Sequence, residues 1–291
     1  MRISLAPIPY FWPKEQVFAW YEDVSSWPVD LVYIGETICS KRRQLRREDW
    51  LEIARQLQKN GKEVVLSTLA LIEAESELAS LRRWVDNGEF LIEANDMAAV
   101  QWCKEAGLPF VAGPTLNIYN HETLRLLQRC GLMRWVLPVD QGRATLAALF
   151  AHWPEQQPWP QIEVTVHGHL TLAYSARCFT ARAHGLGKDD CKLACLQDPQ
   201  GMALNTRDGT AFLRINGISV MSATCHDLGR DMADLARHRV EILRIIPDED
   251  SHRQVLRYHQ ASTTLGPMTV EGSNGYWYGE AGLARLIPAD R

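Results

Sequence analysis

Three of the seven cysteines fall close together past the middle of the chain: Cys178, Cys191 and Cys195, with twelve and then three residues between them. The loop that carries them also holds Gly185, Gly187 and the Asp189-Asp190 pair. Thiolates are soft ligands, so three on one loop suggest a metal. Structural zinc favours cysteines separated by two to four residues, a spacing met only by Cys191 and Cys195. An iron–sulfur cluster takes four thiolates and accepts ligands from distant parts of the sequence. Unligated core or redox thiols are the third reading.

Just ahead of this loop, Val164, Val166, Leu170 and Leu172 alternate with Glu163, Thr165, His169 and Thr171, the period of a strand with one polar face. Before it, strands are expected at 2–7, 30–35, 62–70, 90–93, 110–113 and 135–139. Helices are expected at 14–24, 47–59, 73–85, 97–105, 121–130 and 143–152. The run Asp30-Leu-Val-Tyr-Ile-Gly35 is short and apolar, as in a strand buried on both faces. Beyond the loop, 212–220 reads as extended, 226–237 as helix, 242–246 as the last strand and 253–261 as a helix. So regular an alternation, with no Gly-rich phosphate fingerprint after the first strand, predicts an α/β fold: one TIM-barrel-like (β/α) barrel over 1–291, its cysteine loop at about 178–200.

In such a barrel functional groups stand where strands end and helices begin. Cys103 and Cys130 lie near helix C-termini and are expected to be packing residues. Cys39 follows a strand and Cys178 ends one, so both belong to the functional face. Cys225, between an extended segment and a helix, competes with Cys39 as a fourth ligand.

Composition narrows the classes. The 291 residues are 46% hydrophobic with a net charge of −4, ample for one large core and no broad cationic surface for nucleic acid. The N-terminus has neither a long apolar stretch nor a small-residue cleavage site, and no apolar run approaches the ~20 residues of a membrane span. A cytoplasmic chain without an integral membrane segment is expected, and there a disulfide framework is disfavoured.

The residues Glu163-Val164-(x)2-His167-Gly168, Tyr174-Ser175-(x)2-Cys178 and Cys191-(x)3-Cys195 resemble the signature of the collagenase-like peptidases of unknown catalytic type. Tyr33-Ile34-Gly35-Glu36, Cys39 and the segment Gly113-Pro114-(x)-Leu116-Asn117-Ile118-Tyr119-Asn120 extend the resemblance over nearly the full length. They point to the branch of that superfamily serving oxygen-independent ubiquinone biosynthesis. The resemblance implies a barrel, a 4Fe-4S cluster and a heterodimer with a related protein, UbiU. It also implies ring hydroxylation of ubiquinone precursors within a hydroxylase complex, with prephenate as the hydroxyl donor. In that branch the fourth cluster ligand is the early cysteine, here Cys39, beside Cys178, Cys191 and Cys195; in other members it is a later one, at a place resembling Cys225.

No catalytic residue can be named from the sequence. Candidates for binding a small-molecule donor or quinone precursor are Glu36, Glu93, Asn117, His167 and Arg177, all expected at the strand ends or beside the cysteines. Glu93 and His167 have plain structural readings as well, and Asn120 reads as a helix cap. A peptidase finds no Ser-His-Asp order, Cys-His pair or HExxH here, and a transfer-RNA hydroxylase sits poorly with the acidic balance. A polyprenylated precursor would need a lipid-carrying accessory protein or a hydrophobic groove.

Overall fold

Short apolar strands and amphipathic helices alternate along the chain in the computed structural model, which describes residues 1–287. In order they are β1 (Arg2–Leu5), α1 (Lys14–Val24), β2 (Leu31–Ile34), α2 (Arg47–Lys59), β3 (Glu63–Ser67), α3 (Glu75–Val85), β4 (Leu91–Ala94) and α4 (Met97–Glu105). There follow β5 (Phe110–Ala112), α5 (His121–Arg129), β6 (Leu132–Val136), α6 (Arg143–His152) and β7 (Gln161–Gly168). After β7 come β8 (Thr171–Tyr174), α7 (Phe179–Ala183), β9 (Met202–Asn205), β10 (Ala211–Asn216), β11 (Ser219–Ser222) and β12 (His226–Asp227). The chain continues through α8 (Met232–Arg237), β13 (Ile242–Ile245), α9 (Ser251–Thr264) and α10 (Gly275–Tyr278).

Eight parallel strands close a barrel in the order β7-β13-β1-β2-β3-β4-β5-β6, with β6 pairing back to β7. The TIM-barrel-like α/β fold expected from the alternation is thus present. Residues facing outward, such as Ile3, Val32, Ile92 and Val164, pack under the helices in the main core. Leu31, Tyr33, Val65, Val111, Val136 and Ile242 form a separate apolar cluster inside the barrel. No helix among the described residues is long and apolar enough to cross a membrane.

The barrel interior is also ionic. Arg244 on β13 donates to Glu163 on β7 at 3.1 Å and pairs with Glu93 on β4 at 2.7 Å. Ser4 and Tyr33 donate to the two oxygens of Glu163 at 2.7 and 2.5 Å, and Ser67 donates to Glu93 at 2.6 Å. Arg134 on β6 reaches Tyr33 at 3.1 Å and Glu63 at 2.6 Å. Burial opposes the charge on Arg244, yet Glu93 and Glu163 overcome it and hold its pKa above the ordinary guanidinium value.

Four expectations change. The strand from Glu163 does not run on through Leu172: it breaks at Gly168 (φ +122°), where a Cβ would stand 2.6 Å from the Ile246 Cβ. The chain leaves the barrel there and builds an antiparallel sheet, β8-β11-β10-β9, absent from the sequence reading. Residues 212–220 are a hairpin turning at Gly217 (φ +65°) rather than one extended run. Residues 226–227 pair with Gly168 and His167 of β7, so the helix expected from His226 starts only at Met232. The sixth strand runs Leu132–Val136, earlier than expected, because Arg134 is neutralised inside the barrel by Glu63.

Candidate functional site

Beyond β2 the chain turns through Gly35 (φ +127°), where a Cβ would lie 2.6 Å from the Ser67 carbonyl oxygen. Glu36 then folds back onto its own loop, one carboxylate oxygen accepting from the backbone N–H of Ile38 at 2.8 Å and of Cys39 at 3.0 Å. That turn presents Cys39 to the insertion. Cys178 caps α7, its Sγ accepting from the Ala181 N–H at 3.4 Å. Cys191 and Cys195 flank two left-handed residues, Lys192 (φ +47°) and Leu193 (φ +54°). Cys39, Cys178, Cys191 and Cys195 line one small cavity with Arg42, Ala181 and Gly217. The loop is tied down by Lys41, which donates to the Lys188 carbonyl at 2.7 Å and pairs with Asp189 at 2.9 Å, and by the Lys188–Glu73 pair.

Arg42 is the buried cation of this cavity, fixed by the Pro9 carbonyl at 2.9 Å and the Asn216 side-chain oxygen at 2.7 Å. Burial pushes the Cys39 and Cys195 thiols above their ordinary pKa, with Arg42 opposing at both. Among the described residues no group of three or more His, Cys, Asp or Glu side chains is arranged to hold a metal ion. The donor set suits a larger group: four soft thiols, a backbone N–H aimed at sulfur and a buried guanidinium are what an iron–sulfur cluster asks of its protein.

A second cavity, of about 450 Å3, opens at the mouth of the barrel. Glu93 and Arg244 lie at its base, and Asn95, Asn117, Tyr119, Asp140 and Tyr174 line its walls. Glu93 is fully buried, and its Oε1, though ion-paired with Arg244, accepts no hydrogen bond. Asn117 takes a left-handed conformation (φ +52°) at the rim. Asn120 is elsewhere and caps α5, accepting from the Thr123 N–H at 2.8 Å.

His167 and Cys225 stand apart from both cavities. Cys225 Sγ lies 3.5 Å from His167 Nε2, and the two line a polar pocket with Asp227, Asp248 and Arg257. The structure therefore contains a Cys–His pair that the sequence, with the partners 58 positions apart, did not announce. Burial pushes the Cys225 thiol up to about 12 and the His167 imidazole below its ordinary value, so both are neutral near pH 7. A half-buried, neutral thiol beside a histidine with an unpartnered Nδ1 is not an activated nucleophile.

Of the remaining sequence candidates, Arg177 is exposed, and among the described residues only its backbone N–H is engaged, by the Ser175 hydroxyl at 3.2 Å. Cys103 is buried in the main core and Cys130 ends α5 against it, both as packing residues. Sequence reasoning missed Arg42, Arg244 and Arg134. A basic residue inside an apolar strand, as in Leu-Met-Arg-Trp-Val and Ile-Leu-Arg-Ile, was the available signal for the last two.

An eight-stranded parallel barrel with thiols and a polar cavity at the C-terminal ends of its strands has the layout of a (β/α)8 protein working from that face. The chain belongs to peptidase family U32, whose sequence pattern matches residues 22–261. The family resemblance read from the Glu163–Cys195 stretch agrees with this. A curated relative, named collagenase, from Porphyromonas gingivalis (strain ATCC BAA-308 / W83) is 27% identical over 208 residues, covering 66% of this chain and 50% of the relative. The chain thus spans about half that protein's length. Among solved structures, dihydropteroate synthase from Thermus thermophilus is similar at 12% identity and a TM-score of 0.41, covering 89% of this chain and 94% of that one. Spore coat polysaccharide biosynthesis protein SpsE from Bacillus subtilis is similar at 11% identity and a TM-score of 0.42, covering 98% and 74%.

Proposed function

We propose that this chain carries a 4Fe-4S cluster on Cys39, Cys178, Cys191 and Cys195 and acts, as the resemblance to UbiV implies, with a UbiU partner in oxygen-independent ring hydroxylation of ubiquinone precursors. The observation that supports this reading is the cavity itself: four thiols from the β2 loop and the insertion line it, while Cys225 lines another. When bound, the cluster supplies one-electron transfer. Four thiolates leave no iron open, so substrate is held elsewhere. Glu36 sets the Cys39 turn, and Arg42 places a fixed positive charge against the anionic thiolates.

The mouth cavity is where this chain offers a place for the precursor ring. Glu93 and Asp140 outnumber Arg244 among the lining residues there, which favours a neutral ring whose hydroxyl donates to Glu93. The collagenase name of the relative raises peptide hydrolysis as a second reading. The nucleophile–base contact it could use is Cys225–His167, and the neutral thiol speaks against it.

Iron and acid-labile sulfide on protein purified without oxygen test the proposal. About four of each per chain, lost in Cys39→Ala and kept in Cys225→Ala, are expected for a four-thiolate cluster. Zinc without sulfide would turn the loop into a structural clip and end the cluster reading. Peptide hydrolysis abolished by Cys225→Ser would favour the second reading.

A further inference from the structure

Cys39 and Arg42 share one turn, the Arg42 N–H donating to the Cys39 carbonyl at 3.0 Å. The turn that brings a thiol to the cavity therefore brings a guanidinium with it. Two distant segments fix that group: Nη1 donates to the Pro9 carbonyl at 2.9 Å and Nη2 to the Asn216 side-chain oxygen on β10 at 2.7 Å. The Phe11 ring supports it from one side, its centre 5.5 Å from Cζ. The Nε of Arg42 is buried and meets no acceptor among the described residues. A buried donor left without a partner is costly, so such a group asks for an explanation. Arg42 lines a cavity walled by four thiols, and sulfur is the acceptor that the cavity offers.

The charge of Arg42 is also shielded from water. Lys41, the other cation lining the cavity, is one-third exposed and pairs with Asp189, whereas the Arg42 side chain is 1% exposed. Glu36 lies 3.9 Å from Nη1, but the same carboxylate oxygen already accepts from the Ile38 and Cys39 N–H groups, so it offsets the guanidinium only in part. Burial pushes the Cys195 thiol up, and Arg42 opposes this by its charge and by a hydrogen bond. A fixed charge in so dry a place acts strongly on its neighbours. Net charge, hydrogen bonds to sulfur and solvent exposure are what set the potential of an iron–sulfur centre.

We propose, resting on the cluster reading above, that Arg42 sets the redox poise of the thiol cavity. Its buried charge and its free Nε–H, donated to sulfur, favour the reduced and more negative state of a bound cluster, and the Glu36 carboxylate tempers that bias. One electron enters, and no bond is made or broken.

The test is a potentiometric titration of the full chain purified without oxygen, with dithionite as electron source through viologen mediators, after iron and sulfide have been counted. The paramagnetic signal of the reduced cluster gives the reduced-to-oxidised ratio. At the potential that half-reduces the parent, this ratio should fall at least about tenfold in Arg42→Gln, a shift of about 59 mV for a one-electron couple. It should rise about threefold or more in Glu36→Gln, whose amide oxygen still accepts the Ile38 and Cys39 N–H groups. Arg42→Lys, which keeps the charge and loses the fork, should fall between Arg42→Gln and the parent, and Arg207→Gln, at an exposed site, should match the parent. A merely structural role for Arg42 predicts the opposite sign, because a loosened cavity admits water, which favours the more highly charged reduced state. A loaded Arg42→Gln with an unchanged or raised ratio overturns the assignment. If Arg42→Gln loses its iron, an unchanged ratio in Glu36→Gln overturns it. A parent without iron and sulfide ends the cluster reading and this inference together, whereas full iron with a potential indifferent to both charges ends this inference alone.

Discussion

Cys225, just ahead of β12, meets His167 of β7, Sγ to Nε2 at 3.5 Å, with the histidine buried and its other ring nitrogen unpartnered. With the thiol pushed up to about 12, its reaction with iodoacetamide at pH 8 should be on the order of a thousandfold slower than in the urea-unfolded chain. Peptide mass spectrometry after timed labelling gives the two rates. Labelling within tenfold of the unfolded rate would mean an ionised, reactive thiol and would reopen the peptidase reading.

Positions in the barrel sort the other cysteines. Cys178→Ala, Cys191→Ala and Cys195→Ala should each strip bound iron, whereas Cys103→Ala and Cys130→Ala, at helix ends against the core, should leave it in place. Equal loss in all five would show that iron follows general stability rather than the thiol cavity.

Arg244 stands between two fully buried carboxylates. Replacing it with leucine leaves Glu93 and Glu163 without their guanidinium, a loss of about 3–5 kcal/mol by the usual cost of orphaning a buried charge. Urea unfolding measures it; a change below about 1 kcal/mol would mean that water or proton uptake already compensates the pair.

Gly217 lies against Arg42: an added Cβ would meet Nη2 at 2.8 Å, on a backbone at φ +65°. Gly209 has a similar backbone (φ +85°) but open space around it. Both alanine variants should lose about 1 kcal/mol to the left-handed conformation. Only Gly217→Ala should also displace Arg42 and lower iron retention, which parallel melting curves and iron assays would separate.

Burial lowers the pKa of His226 to about 4. The unfolded chain, with an ordinary value near 6.5, binds more protons between those limits, so stability is complete above that window and falls as pH drops through it. Unfolding free energy should be about 2 kcal/mol lower at pH 5 than at pH 7, a difference reduced in His226→Gln. His167, shifted the same way by burial, will keep some slope in the variant. A wild-type chain equally stable at both pH values would show that His226 is already charged when folded.

Helices with an unbroken apolar stripe, such as Lys14–Val24, Arg47–Lys59 and Met97–Glu105, were legible to the residue because their pattern is local. The places of Cys39, Cys178, Cys191 and Cys195 around one cavity rest on equally local cues, each following a strand or sitting on the loop beyond one. Arg134 and Arg244 were not legible, because an arginine in a central strand makes sense only beside Glu63, Glu93 and Glu163, which arrive from elsewhere in the chain. The insertion was hidden for a related reason. Residues 203–213 are largely exposed, so β9 and the start of β10 carry little of the apolar alternation that marks a strand.

The seam of the barrel has a consequence for how the chain is made. β13 fits between β7 and β1, so β1 waits for one of its two neighbours until residue 245 has emerged. During translation β1 and β7 each keep an open edge, able to pair with another nascent chain, while the whole antiparallel insertion is being made. Closure is a late, long-range event of high contact order, which makes folding slow for the size of the molecule and gives chaperones a window in which to act.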